Sequence, residues 1–248
     1  MLTQAKKILK KYYGFQSFRE GQEKVINSIL GKEDTVAIMP TGSGKSLCYQ
    51  IPAVLFPGVT LVISPLISLM KDQVDALEEM GMPATYINSS IDYKEVEERL
   101  QETAQGKYKL LYIAPERLKS SRFISLLKRI NISMVAVDEA HCVSQWGHDF
   151  RPSYLNISRI IDKFSNRPVI SAFTATATPE VKEDISKQLS MIEPNVYTTG
   201  FDRENLSFKL RRGIDKDQFI LDYIEVNSDI PGIIYAATRK EVNRLDEM

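Results

Sequence analysis

The chain has 248 residues, 43% hydrophobic and 26% charged, which suits one α/β domain, or one domain and part of another. Lys plus Arg and Asp plus Glu both total 32, so global charge gives no case for nucleic acid, and any such case must rest on a local face. Two cysteines, Cys48 and Cys142, exclude a disulfide framework and a four-cysteine zinc site and fit a reduced compartment.

The opening stretch, MLTQAKKILKKYYGF, spreads Lys through a short apolar pattern and lacks the apolar core and cleavage site of a signal peptide. No apolar run is long enough to span a bilayer, so a cytoplasmic protein with no membrane partner is expected. Short all-apolar runs follow at 35–39, 60–64, 84–88, 109–114, 133–138 and 168–174, as in strands buried on both faces. Helical patterns lie between them at 45–54, 66–80, 92–103, 123–130 and 179–189. Asp92 with Glu95 three later reads as a capping box, and Thr178 before Pro179 as an N-cap. The alternation predicts an α/β fold: a doubly wound, mostly parallel sheet with helices on both faces.

Met39 to Ser46 reads MPTGSGKS, between a strand and a helix, where a phosphate loop belongs. Gly42 and Gly44 let successive N–H groups turn inward, with Thr41 and Ser43 between and beside them. Lys45 can reach the β- and γ-phosphates of ATP, and the Ser46 hydroxyl can ligate Mg²⁺. The strict consensus has a glycine where Met39 stands; the bland reading is a Gly-rich turn with a chance GKS.

VAVDEAHC, 135–142, puts Asp138 and Glu139 at a strand's carboxyl end, where open parallel sheets bind ligands. Asp138 suits a Mg²⁺ ligand and Glu139 a group that polarises attacking water. Adjacent carboxylates on a turn are usually only solvated; a phosphate loop upstream favours catalysis. FTATATP closes a later strand, and Thr174 and Thr176 could couple the carboxylates to the γ-phosphate. QWGHDFRPSY, 145–154, sets the only Trp, Trp146, among charges, Gly and Pro, close to both histidines, His141 and His148. A metal site of His141, Cys142 and His148 lacks a fourth ligand and the usual zinc spacing, so no zinc site is expected.

After residue 201 the rhythm restarts. Residues 205–212 read as a strand, 216–226 as a helix, 231–236 as a buried strand and 238–248 as a helix opening. The expected division is 1–203 for a first lobe and 204–248 for the beginning of a second, truncated one.

TGSGKS, DEAH and TATAT in this order resemble motifs I, II and III of superfamily 2 helicases. YGFQSFREGQEKVI (13–26), SPLISLMKDQV (64–74), YIAPERL (112–118) and DEAHCVSQWGHDFRPSY (138–154) are similar to RecQ-family DNA helicases. The resemblance implies a P-loop NTPase with a RecA-like lobe and an ATP-driven motor on single-stranded and partly duplex DNA, moving 3′ to 5′. By it, Phe15 stacks on adenine, Gln22 bonds its edge, Arg19 lies near base or phosphates, and His141 joins Lys45, Asp138 and Glu139 in the catalytic set. Trp146, His148, Phe150 and Arg151 form an aromatic-rich loop that contacts DNA, with Ser64, Ser68, Lys71 and Gln73 as further DNA contacts. The alternatives are another superfamily 2 motor, such as an RNA helicase, and a non-catalytic nucleotide- and DNA-binding module. GIIYAATRKEV (232–242) resembles motif IV of a second lobe; the chain alone is expected to bind nucleotide and hydrolyse it slowly.

Overall fold

A computed structural model describes residues 1–200 and 206–248. The chain divides into two compact units, Met1–Phe201 and Asp202–Met248. The boundary expected between 203 and 204 lies outside the described residues.

The first unit runs α1 (Leu2–Tyr13), α2 (Gln22–Leu30), β1 (Thr35–Ile38), α3 (Lys45–Leu55), β2 (Val59–Ile63), α4 (Ile67–Glu79), β3 (Ala84–Ile87), α5 (Tyr93–Ala104), β4 (Leu110–Ile113), α6 (Ser121–Leu127), β5 (Ile132–Val137), α7 (Asn156–Ile161), β6 (Val169–Thr174), α8 (Pro179–Gln188) and β7 (Asn195–Thr198). The seven strands form one sheet in the order β3-β4-β2-β5-β6-β1-β7, and every pairing is parallel. The two-residue period of a strand divides the core in two. Val36, Ile38, Leu61 and Ile63 pack with α5 to α8, while Ala37, Met39 and Val62 pack with α1 to α4. This is the doubly wound architecture expected. Asp92 caps α5 by accepting from the Glu95 N–H at 2.9 Å, and Thr178 caps α8.

Four elements of the first unit were not among the sequence patterns: α1, α2, β7 and α7. β7 alternates half-buried and exposed residues and pairs only with β1, so it lacks the continuous apolar run of its neighbours. The six-residue α7 is too short to display a helical period.

Asp34, buried just before β1, ties the sheet's lower edge together. Its carboxylate accepts from both Arg167 terminal nitrogens, from the Ile170 N–H at 2.9 Å and from the Ile192 N–H at 2.8 Å.

In the second unit the expected helices are present as α9 (Lys216–Val226) and α10 (Arg239–Asp246), joined by an Arg244–Asp217 ion pair at 2.7 Å. The two expected strands are not. Residues 206–212 and 231–236 form no ladder, and Tyr235 is 89% exposed. A strand's N–H and C=O groups need a partner strand, and an apolar run alone does not supply one.

Candidate functional site

The strand order sets the site. β6 lies between β5 and β1, so the residues after β1, β5 and β6 meet at one sheet edge. The Met39 N–H donates to the Thr174 carbonyl at 3.0 Å, joining the phosphate loop to the end of β6.

Gly42 and Gly44 both take positive φ, 79° and 81°. A Cβ on Gly44 would also lie 2.6 Å from the Gln22 amide nitrogen, so glycine is required there twice over. The Lys45 ammonium donates to the Met39 carbonyl at 3.0 Å, and the Ser43 hydroxyl oxygen is buried without a partner. Thr41 is exposed in the loop, and Ser46 begins α3 half-buried. Residues from 13–26 brace this loop. Arg19 donates to the Gly42 carbonyl at 2.8 Å, and the Gln22 amide donates to the Ser43 carbonyl at 2.9 Å while its oxygen accepts from the Arg19 N–H. Gln22 is buried with both ends of its amide engaged, so it clamps the loop where an adenine contact was expected. Phe18 packs on the core, whereas Phe15 is 53% exposed.

Asp138 ends β5, 7% exposed. Burial, and then the neighbouring Glu139 carboxylate, push its pKa up to about 6. Glu139 sits at φ 47°, a left-handed turn that a non-glycine residue adopts only under constraint. That turn aims its carboxylate at His141 Nδ1, 3.3 Å away. His141 Nδ1 is also 2.9 Å from the Thr174 hydroxyl, whose single proton goes to the Thr176 carbonyl. Thr174 must therefore accept, and His141 carries its proton on Nδ1. Burial lowers the His141 pKa, so the ring is neutral at pH 7. Carboxylate, imidazole and β6 threonine thus form one chain; Thr176 enters it through its main-chain carbonyl.

The loop after DEAH closes on itself: the Arg151 N–H returns to the Cys142 carbonyl at 2.9 Å. Gly147 passes so close to His141 that a Cβ would lie 2.4 Å from the His141 carbonyl oxygen. Trp146 is 78% exposed, His148 stacks on His141 with centroids 4.3 Å apart, and Phe150 is half-buried. Arg151 reaches across to the Pro65 carbonyl at 3.1 Å, at the turn before α4.

A strand-end phosphate loop facing a DEAH turn is a family signature, and comparison bears it out. The family model described as DEAD/DEAH box helicase matches residues 19–185. The chain belongs to the DEAD/DEAH box helicase family. It is 55% identical over all its 248 residues to the ATP-dependent DNA helicase RecQ of Bacillus subtilis and spans 42% of that protein. With RecQ of Pasteurella multocida it shares 44% identity over 97% of its length and 38% of that protein. The chain thus spans about two fifths of these relatives' length. Among solved structures, the DUF1998 helicase MrfA superposes with a TM-score of 0.73 at 17% identity, over 98% of this chain and 40% of that one. The helicase Lhr of Mycobacterium smegmatis gives 0.68 at 19%, over 95% of this chain and 34% of that one. At these identities the structural likeness shows the fold alone.

The expected DNA contacts of this helicase chain divide. Ser68 and Lys71 stand exposed on α4. Ser64 is 3% exposed just after β2, and its N–H donates to the Ile113 carbonyl at 3.2 Å. Gln73 faces the phosphate-loop helix, accepting from the Tyr49 hydroxyl at 3.0 Å and lying 3.5 Å from Ser46 Oγ. Tyr154 was not singled out by its residue type, yet it is buried and donates to the Asp138 carbonyl at 3.0 Å, fixing the DEAH turn. The arginine of YIAPERL, Arg117, is engaged with the carbonyls of Asn88 and Ile91.

Proposed function

We propose that this chain is the nucleotide-binding lobe of a RecQ-type motor that couples ATP hydrolysis to 3′-to-5′ movement on single-stranded and partly duplex DNA. The observation that carries the reading is the continuous link from Glu139 through His141 to Thr174, with an exposed Trp146 eight residues or fewer from all but the last.

Phosphate oxygens enter the curl of loop N–H groups, and Lys45 turns from main-chain carbonyls to the stronger charged acceptor. Phe15 offers its exposed ring to adenine. Arg19 and Gln22 report on the base through the loop carbonyls they hold. Ser46 and Asp138 would hold Mg²⁺, which supplies charge neutralisation on the phosphates. The fit is sound, because Asp138 is a buried carboxylate beside a second one, and the Lys45 charge offsets only part of that burden. Glu139 takes the proton of the attacking water, and neutral His141 holds that carboxylate in place by donating from Nδ1. Trp146 and Phe150 give bases a stacking surface with no sequence preference, and Ser68, Lys71 and Arg151 meet phosphates. Strand docking on the loop shifts His141 through Gly147 and His148, and so reaches Glu139.

Trp146 is the only tryptophan, so its fluorescence reports its own contact. Single-stranded DNA should quench it in a salt-dependent titration, more strongly than RNA of the same length. In nucleotide-binding measurements, Lys45→Ala should lose ATP and Glu139→Gln should keep it while abolishing turnover. Equal quenching by RNA would favour an RNA motor. Unaltered ATP binding by Lys45→Ala would remove the nucleotide site itself.

A further inference from the structure

We propose that His141, Cys142 and Asp149 form a site for a thiophilic divalent cation of the Zn²⁺ class, built into the loop that follows the DEAH turn. Cys142 Sγ lies 3.7 Å from His141 Nε2 and 3.8 Å from Asp149 Oδ2, and the three donor atoms all fall within 4.8 Å of one another. Tetrahedral zinc with ordinary Zn–S, Zn–N and Zn–O bonds places such donors about 3.6 Å apart, so the two Cys142 pairs already match and the His141–Asp149 pair would draw in.

The imidazole is prepared independently of the other two ligands. Because Thr174 gives its proton to the Thr176 carbonyl, His141 is protonated on Nδ1, and the bare lone pair of Nε2 faces the thiol. A ligating histidine ordinarily donates its other N–H to a carboxylate or an oxygen acceptor, and here both Glu139 and Thr174 receive it. One thiolate and one carboxylate balance the dication, and water completes the fourth position. The proton lost from the Cys142 thiol leaves to solvent. Entry is from the Asp149 side, where that carboxylate is 48% exposed.

Sequence spacing hides this set. His141 and Cys142 are adjacent, and the third ligand is Asp149, which the loop folds back onto them; His148 stacks on the ring of His141. Asp149 now pairs with Arg151, accepting from Nη2 at 2.8 Å. An ion would take Asp149 from that arginine and tie the loop to the residue two after Glu139. Transition-metal ions would therefore hold the loop in one position, a form of inhibition distinct from competition with Mg²⁺. The site itself does not rest on the motor reading, because its readout is metal binding alone.

The test is a titration of the untagged chain with Co²⁺, without nucleotide and with Mg²⁺ in large excess. One Co²⁺ per chain should bind with a thiolate-to-metal charge-transfer band, release of a proton and displacement by Zn²⁺. Cys48→Ser should retain the band and Cys142→Ser should lose it. Asp149 is on the surface, so Asp149→Asn reports even where Cys142→Ser disturbs packing; it should weaken binding at least about tenfold. No thiolate band, a band that survives in Cys142→Ser, or unchanged affinity in Asp149→Asn would each overturn the proposal.

Discussion

β1 and residues 231–236 both read from the sequence as buried strands and end differently. β1 lies between β6 and β7 with all four residues buried, whereas residues 231–236 form no strand and leave Ile233 80% exposed. Pro231 and Gly232 weaken the second run as a strand, and partners separate the two further. β1 has a parallel neighbour on each side and helices over both faces, so its amides are bonded and its side chains leave water. Among its described residues the second unit offers only α9 and α10, neither with a buried residue, and its ion pairs are exposed contacts of small worth. An apolar β-branched run is a request for a sheet, and the sheet must exist before the request becomes structure.

The contrast breaks most readily at Asp34. Asp34→Ala removes four acceptor contacts at once, leaving Arg167 unpaired and the Ile170 and Ile192 N–H groups without their acceptor. Loss of a buried partner of this kind costs about 3–5 kcal/mol. Urea unfolding followed by circular dichroism should show the first unit losing that stability. An effect under about 1 kcal/mol, the range of a surface ion pair, would mean that β1 owes its order to apolar packing alone.

Asp138 sharpens the same contrast, since it is a carboxylate that the first unit buries. Its pKa is raised from 3.8 to about 6, so the folded state binds the proton more tightly than the unfolded state does. The sign follows: the folded state is favoured below pH 4, and that advantage, about 3 kcal/mol, is lost as pH rises through 6. Asp138→Asn keeps an oxygen for the Glu139 N–H and has no proton to lose. Without Mg²⁺ it should exceed the parent by up to about 3 kcal/mol at pH 8 and converge with it near pH 4. A gain independent of pH would show that ionisation is not the cause.

Much of this was legible in the chain because the relevant signals are local. Six strands announced themselves as continuous apolar runs, and MPTGSGKS and DEAH name their own chemistry by residue type and spacing. What stayed hidden depends on contacts across the fold. Gln22 shows no local sign that its amide nitrogen holds the Ser43 carbonyl of the phosphate loop while its oxygen holds the Arg19 N–H. Asp149 joins His141 and Cys142 only because the Arg151 N–H closes the loop onto the Cys142 carbonyl. Ser64 and Ser68 sit four apart in one motif, yet the first is buried and the second stands on the surface. The two strands expected in the second unit failed for the reason the opening contrast gives, since periodicity reports what a segment can bury and says nothing of what will cover it.

The smallest expected effects lie where each unit exposes an aromatic. Trp146 in the first and Tyr235 in the second are 78% and 89% exposed, so little apolar area is lost when either is shortened. Trp146→Ala and Tyr235→Ser should each leave unfolding within about 0.5 kcal/mol of the parent. The two then part on a second readout. Trp146 stands on a loop that Gly147 holds against His141, so its removal should abolish DNA binding to the loop while the fold survives. Tyr235 stands in a run left exposed in the second unit, and Tyr235→Ser should leave nucleotide binding unchanged. A loss of several kcal/mol in Trp146→Ala would mean that the indole packs as core and that the loop is scaffolding. The same loss in Tyr235→Ser would mean that residues 231–236 find a covering surface in solution, and the two apolar runs would then differ less than their exposures suggest.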